Sequence, residues 1–218
     1  AGSAALATWA GCGPDLIYLP EVDFDLDQFI ADVTAIYDKT GKCMVAVSEG
    51  IHYADGRFVS EAETSATDGF GHAQLGGLAV KLADLIKQRT GAKVRGIELS
   101  LLQRCGAHLA SHTDVEEAKM AGRVAVESAV AGETDKMVAF QCTREGGKYT
   151  CEPVLQPLDI VANFEKKVPR EWINAAGNGV EQPFIDYVLP LIQGEPDRPK
   201  ENALPRFAKL KKVLTTDM

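Results

Sequence analysis

Apolar positions along the chain alternate between two kinds of pattern. Leu16, Ile17, Tyr18 and Leu19 make a short unbroken run stopped by Pro20, which predicts a buried strand. Leu26, Phe29, Ile30, Val33 and Ile36 then recur at helical spacing. This predicts an amphipathic helix with Asp25 as its N-cap, Gln28 three residues on, and an end near Gly41. A second strand, Met44 to Val47, reads as fully buried and delivers Ser48, Glu49 and Gly50 at its end. From Gly50 to Gly71 the chain is polar, acidic and aperiodic, the pattern of a long surface loop. Leu75, Leu78, Ala79, Leu82, Leu85 and Ile86 predict a second helix closed by Gly91. In "VRGIELSLLQR", Ile97, Leu99 and Leu101 alternate against Glu98 and Ser100, which predicts a third strand.

Strands alternating with helices through short connections predict an α/β fold, a layered sheet with right-handed helical crossovers. Further on, a helix is expected from Asp114 to about Ala131, with Thr113 and Glu116 as a capping box. "KMVAFQ", the pair Gly146-Gly147 and "KYTCEPV" predict a hairpin. Beyond Pro153, prolines interrupt every segment, so short helices and turns over a core are expected. After Gly194 the chain reads as a linker, "PDRPKEN", and then a basic amphipathic stub, "RFAKLKKVL". The opening "AGSAALATWAGCGPDL" has the small apolar composition of a buried helix, and residues 1–10 read as the tail of one cut within the element.

Composition narrows the classes of function. With 45% hydrophobic and 25% charged residues among 218, the chain belongs with ordinary globular domains. A net charge of -8 and a pI near 5.1 argue against nucleic acid as a partner, because that binding needs a basic face. An anionic ligand then requires a local basic pocket. The cysteines, Cys12, Cys43, Cys105, Cys142 and Cys151, are odd in number and scattered with no CxxC pair. Neither a disulfide framework nor a zinc site is predicted, and a reducing cytoplasmic location fits best. With no long apolar stretch and no leader pattern, neither a membrane span nor a secretion signal is expected.

Three charged residues stand out as candidate chemistry. Glu49 follows a strand, and open α/β sheets bind ligands beyond the carboxyl ends of their strands. An ionised carboxylate there accepts from several ligand hydroxyls; the plainer alternative is a carboxylate bonded to backbone N–H groups at a loop start. Arg95 and Arg104 flank the predicted third strand, and guanidinium forks suit phosphate oxygens. An extended run between them spans about 30 Å and places them on opposite faces. Either the strand is broken, or each arginine serves a different ligand site completed by a neighbouring subunit, or both are surface arginines in ordinary ion pairs. His108 and His112 are expected in a loop rather than as helical metal ligands, and no Ser-His-Asp set is evident. Gly76-Gly77 and Gly146-Gly147 lack a phosphate-loop context, and Cys105 reads as packed.

Four collinear segments then carry a resemblance over residues 1–140. "AGSAALATWAGCGPDLIYLPEVDFDLDQFIADV", "VAVSEG", "LGGLAVKLADLIKQRTGAKVRGIELSLLQR" and "SHTDVEEAKMAGRVAVESAVAG" together resemble the later half of a phosphofructokinase. "VPREWINAAGNGVEQPFIDYVLPLIQGE" further resembles the bacterial pyrophosphate-dependent branch. The resemblance implies a three-layer α/β fold, a mostly parallel sheet with flanking helices, and a donor-binding N-terminal part that is missing. It implies transfer of a phosphoryl group from pyrophosphate or ATP, with Mg2+, to the 1-hydroxyl of fructose 6-phosphate in glycolysis.

Carried over by position, Glu49 matches a glutamate that holds sugar hydroxyls, and Leu101, Leu102, Gln103 and Arg104 spell the sugar-phosphate segment. Arg95 matches an arginine that reaches the 6-phosphate bound by the adjacent subunit, which implies a homo-oligomer with a shared site. Leu101 departs from the family, where His or Tyr is common, and leaves only apolar or backbone contact. "QRCGAH" in place of "QRGG" also points to the pyrophosphate branch. No catalytic residue is expected in this chain, since the donor loop, the magnesium aspartate and the base precede its first helix in the family. The implied organisation is a sugar-phosphate-binding domain over 1–103, a return segment to the donor domain over 104–152, and a C-terminal extension over 153–218. A non-catalytic sugar-phosphate-binding module is the alternative from a different class.

Overall fold

The computed structural model describes residues 13–60, 77–99, 101 and 105–211. Its organising unit is a parallel strand pair joined by a helical crossover: β1 (Leu16–Tyr18), α1 (Leu26–Thr40) and β2 (Val45–Val47), with Leu16, Ile17 and Tyr18 in register with Val45, Ala46 and Val47. Asp25 caps α1 by accepting from the Gln28 N–H at 2.9 Å, and Gly41 ends it in the left-handed region at φ 74°, donating to the Tyr37 carbonyl. The left-handed turn is why glycine stands there. A second helix, α2 (Leu78–Thr90), ends on Gly91 in the same way. Leu75 lies outside the described residues.

Because successive strand residues face opposite sides, β1 feeds two cores. Leu16 and Tyr18 join Phe24, Phe29, Val33, Leu78, Leu82 and Ile86 in one, with Leu26, Ile30 and Ile36 packed against it. Ile17 and Leu19 join Ile173, Phe184 and Val188 in the other. The result is three layers: helices α1 and α2, the parallel pair, and a C-terminal layer of short elements. That last layer contains α4 (Gln182–Val188) and 3-10 turns, and the Asn178 carbonyl accepts from the Ile17 N–H at 2.9 Å. The expected helices and turns beyond Pro153 are therefore present, although the preceding strand runs on to Pro157.

Three local expectations are corrected. β2 is half-buried rather than fully buried. The stretch after Gly50 does not begin as a surface loop: Ile51 and Val59 are 1% and 0% exposed, and His52 bridges to Phe58. Its apolar residues are too sparse to show a period, yet they turn inward, and Lys81 of α2 donates to the Val59 carbonyl at 2.7 Å. The remainder of that segment, residues 61–71, lies outside the described residues. The segment 91–99 is not a strand. Gly96 backs onto α2 so closely that a Cβ there would sit 2.5 Å from the Ala79 carbonyl oxygen, and Ile97 and Leu99 are exposed. An alternating pattern makes a strand only when a ladder partner and a covering layer are supplied.

The rest of the described chain forms a second region. Helix α3 (His112–Val130) is capped by Ser111, whose hydroxyl oxygen accepts from the Asp114 N–H at 3.1 Å. The expected box at Thr113 is displaced because the Gly194 and Gln193 carbonyls accept from the His112 and Thr113 N–H groups, extending the helix start. The predicted hairpin is present as β3 (Lys136–Glu145) and β4 (Lys148–Pro157), turning at Gly146-Gly147 with φ of 60° and 75°. Arg144 of β3 lies over the rings of Tyr149 and Tyr187 and donates to the Tyr187 carbonyl at 3.0 Å. The expected linker after Gly194 includes a small hairpin, β5 (Lys200–Glu201) and β6 (Leu204–Pro205), followed by exposed chain without a helix through 211. Residues 212–218 and 1–12 lie outside the described residues.

Candidate functional site

The carboxyl ends of β1 and β2 lie side by side, with Tyr18 in register with Val47. The Ser48 N–H donates to the Tyr18 carbonyl at 3.1 Å, and a Cβ on Gly50 would meet Pro20 at 3.5 Å. This tight approach, with the Ile51 N–H donating to the Ser48 carbonyl at 3.3 Å, turns the chain so that the Glu49 side chain projects outward. Glu49 is exposed, and its carboxylate has no hydrogen-bond or ion-pair partner among the described residues. The backbone-bonded alternative for Glu49 is therefore not what the fold builds. No buried charge needs explaining, because Glu49 is exposed and the strand that carries it is only half-buried.

Arg95 lies in the irregular segment after α2, exposed and likewise without a partner among the described residues. The premise of two arginines at the ends of one strand falls with that strand. Leu101 is 67% exposed, while Gln103 and Arg104 lie outside the described residues. No hydrogen bond or ion pair joins Glu49 to Arg95. Cys105 is exposed, not packed. His108 sits in a 3-10 turn and His112 in the first turn of α3, so the expected loop placement holds only for the former.

Beside the Glu49 turn the structure assembles polar groups that spacing did not indicate. The Asp32 carboxylate accepts from Tyr18 Oη, Gln28 Nε2 and Asn178 Nδ2, each at 2.8 Å. Burial alone raises its pKa, but the hydrogen bonds from Asn178, Gln28 and Tyr18 outweigh that and hold it below the usual aspartate value. Burial and the bond to Asp32 push the Tyr18 hydroxyl well above the ordinary tyrosine range. Tyr18, Gln28, Asp32 and Gly177 line a cavity of about 50 Å3, room for ordered water rather than for a sugar phosphate. The network's job is to clamp the C-terminal layer onto β1 and α1. Only the Gln28–Asp32 pair, four residues apart on α1, was visible in the sequence. Glu21 follows the same logic: its Oε1 accepts from the Val168 N–H at 2.9 Å across the two layers.

Among the described residues no three His, Cys, Asp or Glu side chains converge as metal ligands. The described residues therefore offer no magnesium site. What the site offers is an outward carboxylate at the carboxyl edge of a parallel pair, held by a rigid three-layer body.

Comparison with known proteins bears on that arrangement. The family model "Phosphofructokinase" matches residues 1–129. The chain is 44% identical over 214 residues to a pyrophosphate–fructose 6-phosphate 1-phosphotransferase of Halomonas elongata, covering 96% of this chain and 50% of that protein. It is 41% identical over 215 residues to the protein of the same name from Xanthomonas campestris, covering 96% and 51%. A crystal structure of a pyrophosphate-dependent phosphofructokinase from Nitrosospira multiformis superimposes with a TM-score of 0.72 at 33% identity, over 91% of this chain and 45% of that one. The chain thus spans about half the length of the curated relatives it matches. A parallel sheet between helical layers, an exposed acid at its carboxyl edge and a family match over residues 1–129 agree: this chain belongs to the phosphofructokinase family.

Proposed function

We propose that this chain is the sugar-phosphate half of a pyrophosphate-dependent 6-phosphofructokinase. In that reading the complete protein moves a phosphoryl group from pyrophosphate to the 1-hydroxyl of fructose 6-phosphate. The observation that carries the proposal is the place of Glu49, an exposed carboxylate without a partner among the described residues, beyond the carboxyl ends of parallel strands within the family-matched part of the chain. Such a group accepts from sugar hydroxyls without first surrendering a bond of its own. The relatives that match over 96% of the chain are named for pyrophosphate, which favours that donor over ATP.

In the same proposal Arg104 and Gln103 grip the 6-phosphate, Leu101 adds apolar contact, and exposed Arg95 reaches the phosphate bound by a neighbouring copy in a homo-oligomer. Magnesium, the donor loop and the base belong to the portion of the longer relatives beyond this chain, so the chain alone turns over no substrate. The division at residues 103 and 152 belongs to the proposal too: the return segment, 104–152, docks on the donor half. Its exposure supports this, since α3 has no buried residue and Val126 and Val130 are 65% and 85% exposed. No helix among the described residues is long and apolar enough to cross a membrane, and a cytoplasmic location accords with a sugar-phosphate substrate.

Calorimetric titration of fructose 6-phosphate into the intact enzyme tests the site. Arg104→Ala should weaken binding by about 2 to 4 kcal/mol, as when a charge pair loses one partner. Unchanged affinity in both Arg104→Ala and Glu49→Gln enzymes removes these residues from the sugar site.

A further inference from the structure

Two cysteines on the two strands of the hairpin are brought face to face by its register. Cys142 of β3 is in direct register with Cys151 of β4. The two-residue Gly146-Gly147 turn makes Glu145 and Lys148 a hydrogen-bonded pair, and the pairs alternate from there. Counting back through Arg144 with Tyr149 and Thr143 with Thr150, Cys142 and Cys151 fall on a pair without backbone hydrogen bonds between them. Opposed residues of that kind are closer, with Cα atoms about 4.5 Å apart. That distance lies inside the range a disulfide spans, about 4.4 to 6.8 Å. The side chains come close as well: Cys142 Sγ lies 3.4 Å from the hydroxyl of Tyr149, which shares a face of β4 with Cys151 two residues on. Tyr149 in turn donates to Glu117 Oε1 of α3 at 2.6 Å. Both cysteines are half-buried, so a small reagent reaches them.

We propose that Cys142 and Cys151 form a dithiol site that reacts with low-molecular-weight disulfides to close a cross-strand disulfide bond. The site lies on the hairpin, away from the Glu49 turn, and does not depend on the sugar-site reading. In the first step a Cys142 sulfur attacks one sulfur of the reagent, forming a mixed disulfide and releasing one thiolate. In the second, Cys151 loses its proton and attacks Cys142 Sγ, and the other half of the reagent leaves as a thiolate. The protein pair is oxidised by two electrons, the reagent is reduced to two thiols, and the two cysteine protons end on them. Burial, before any other cause, pushes the Cys151 thiol up to about 12. A closed bond would pin the hairpin at the level of the Tyr149 contact to α3.

Incubating the full chain with oxidised glutathione, blocking remaining thiols and mapping peptides without reduction tests the assignment. The expected product has lost two hydrogen atoms and yields one crosslinked peptide joining Cys142 to Cys151, reversed by dithiothreitol. In Cys142→Ser and in Cys151→Ser the bridge is absent and the remaining hairpin cysteine carries a glutathione adduct. The inference is overturned if the wild-type chain accumulates only separate adducts at Cys142 and Cys151, leaves both unmodified, or bridges either one to another cysteine.

Discussion

The unit built on β1, α1 and β2 and the unit built on α3 and the β3–β4 hairpin have equally regular sequence patterns and opposite degrees of cover. In the first, Phe29, Ile51 and Val59 are at most 1% exposed, and aromatic edges meet at Tyr18, Phe24 and Phe29. In the second, the 19-residue helix α3 buries nothing, Met137 and Phe140 are more than 40% exposed, and an open groove of about 270 Å3 runs between helix and hairpin. Periodicity specifies which face is apolar. Stability comes only when another layer takes that face out of water. The first unit carries its own layers in α2 and the C-terminal segment. Among the described residues none covers the second; the chain spans about half the length of the curated relatives it matches.

The contrast is open to experiment, beginning where the effect is largest. Phe29→Ala should cost about 3 to 5 kcal/mol in denaturant unfolding, since it empties a site enclosed on every side. A cost as small as that of a surface change would mean the first unit is not a packed core. Asp32→Asn should be milder, about 1 kcal/mol at neutral pH after discounting for solvent screening, because the clamp between layers is partly exposed. Its sign with pH is fixed: the folded carboxyl titrates below its unfolded value, so its stabilisation is complete above about pH 4 and fades as pH falls through the lowered value. The gap between wild type and Asp32→Asn should therefore close in acid, measured by thermal unfolding across pH. A gap that widens would assign the network another role. Smallest of all, Val126→Ala should change the stability of this chain by less than about 0.5 kcal/mol. In the full-length enzyme the same substitution should cost more than about 1 kcal/mol if the donor half covers α3. Equal effects in both would mean that the face is exposed in the whole protein.

Much of this arrangement was legible beforehand, and the failures share a cause. Asp25 and Gly41 mark α1 because caps are satisfied by residues adjacent in sequence. The Gly146-Gly147 turn marks the hairpin for the same reason. The segment containing Arg95 was misread because its alternation was genuine while its partner strand is not among the described residues, and Gly96 is committed to the backbone of α2. Ser111 displaced Thr113 as a cap because Gln193 and Gly194 supply carbonyls from across the fold. At the candidate site, Glu49 was identified from its position after a strand, yet its exposure was not, since that depends on how open β2 is. Arg104 and Gln103 were legible only by resemblance.

By itself the sequence determined the α/β class, the order β1–α1–β2 and the ends of α1 and the end of α2, because those depend on period, caps and turns over a few residues. Tertiary structure alone decided that Ile51 and Val59 turn inward and that Asp32 meets Tyr18 and Asn178. Each is a contact between positions that no sequence period connects. Its free energy is realised only after the chain has closed the loop between them.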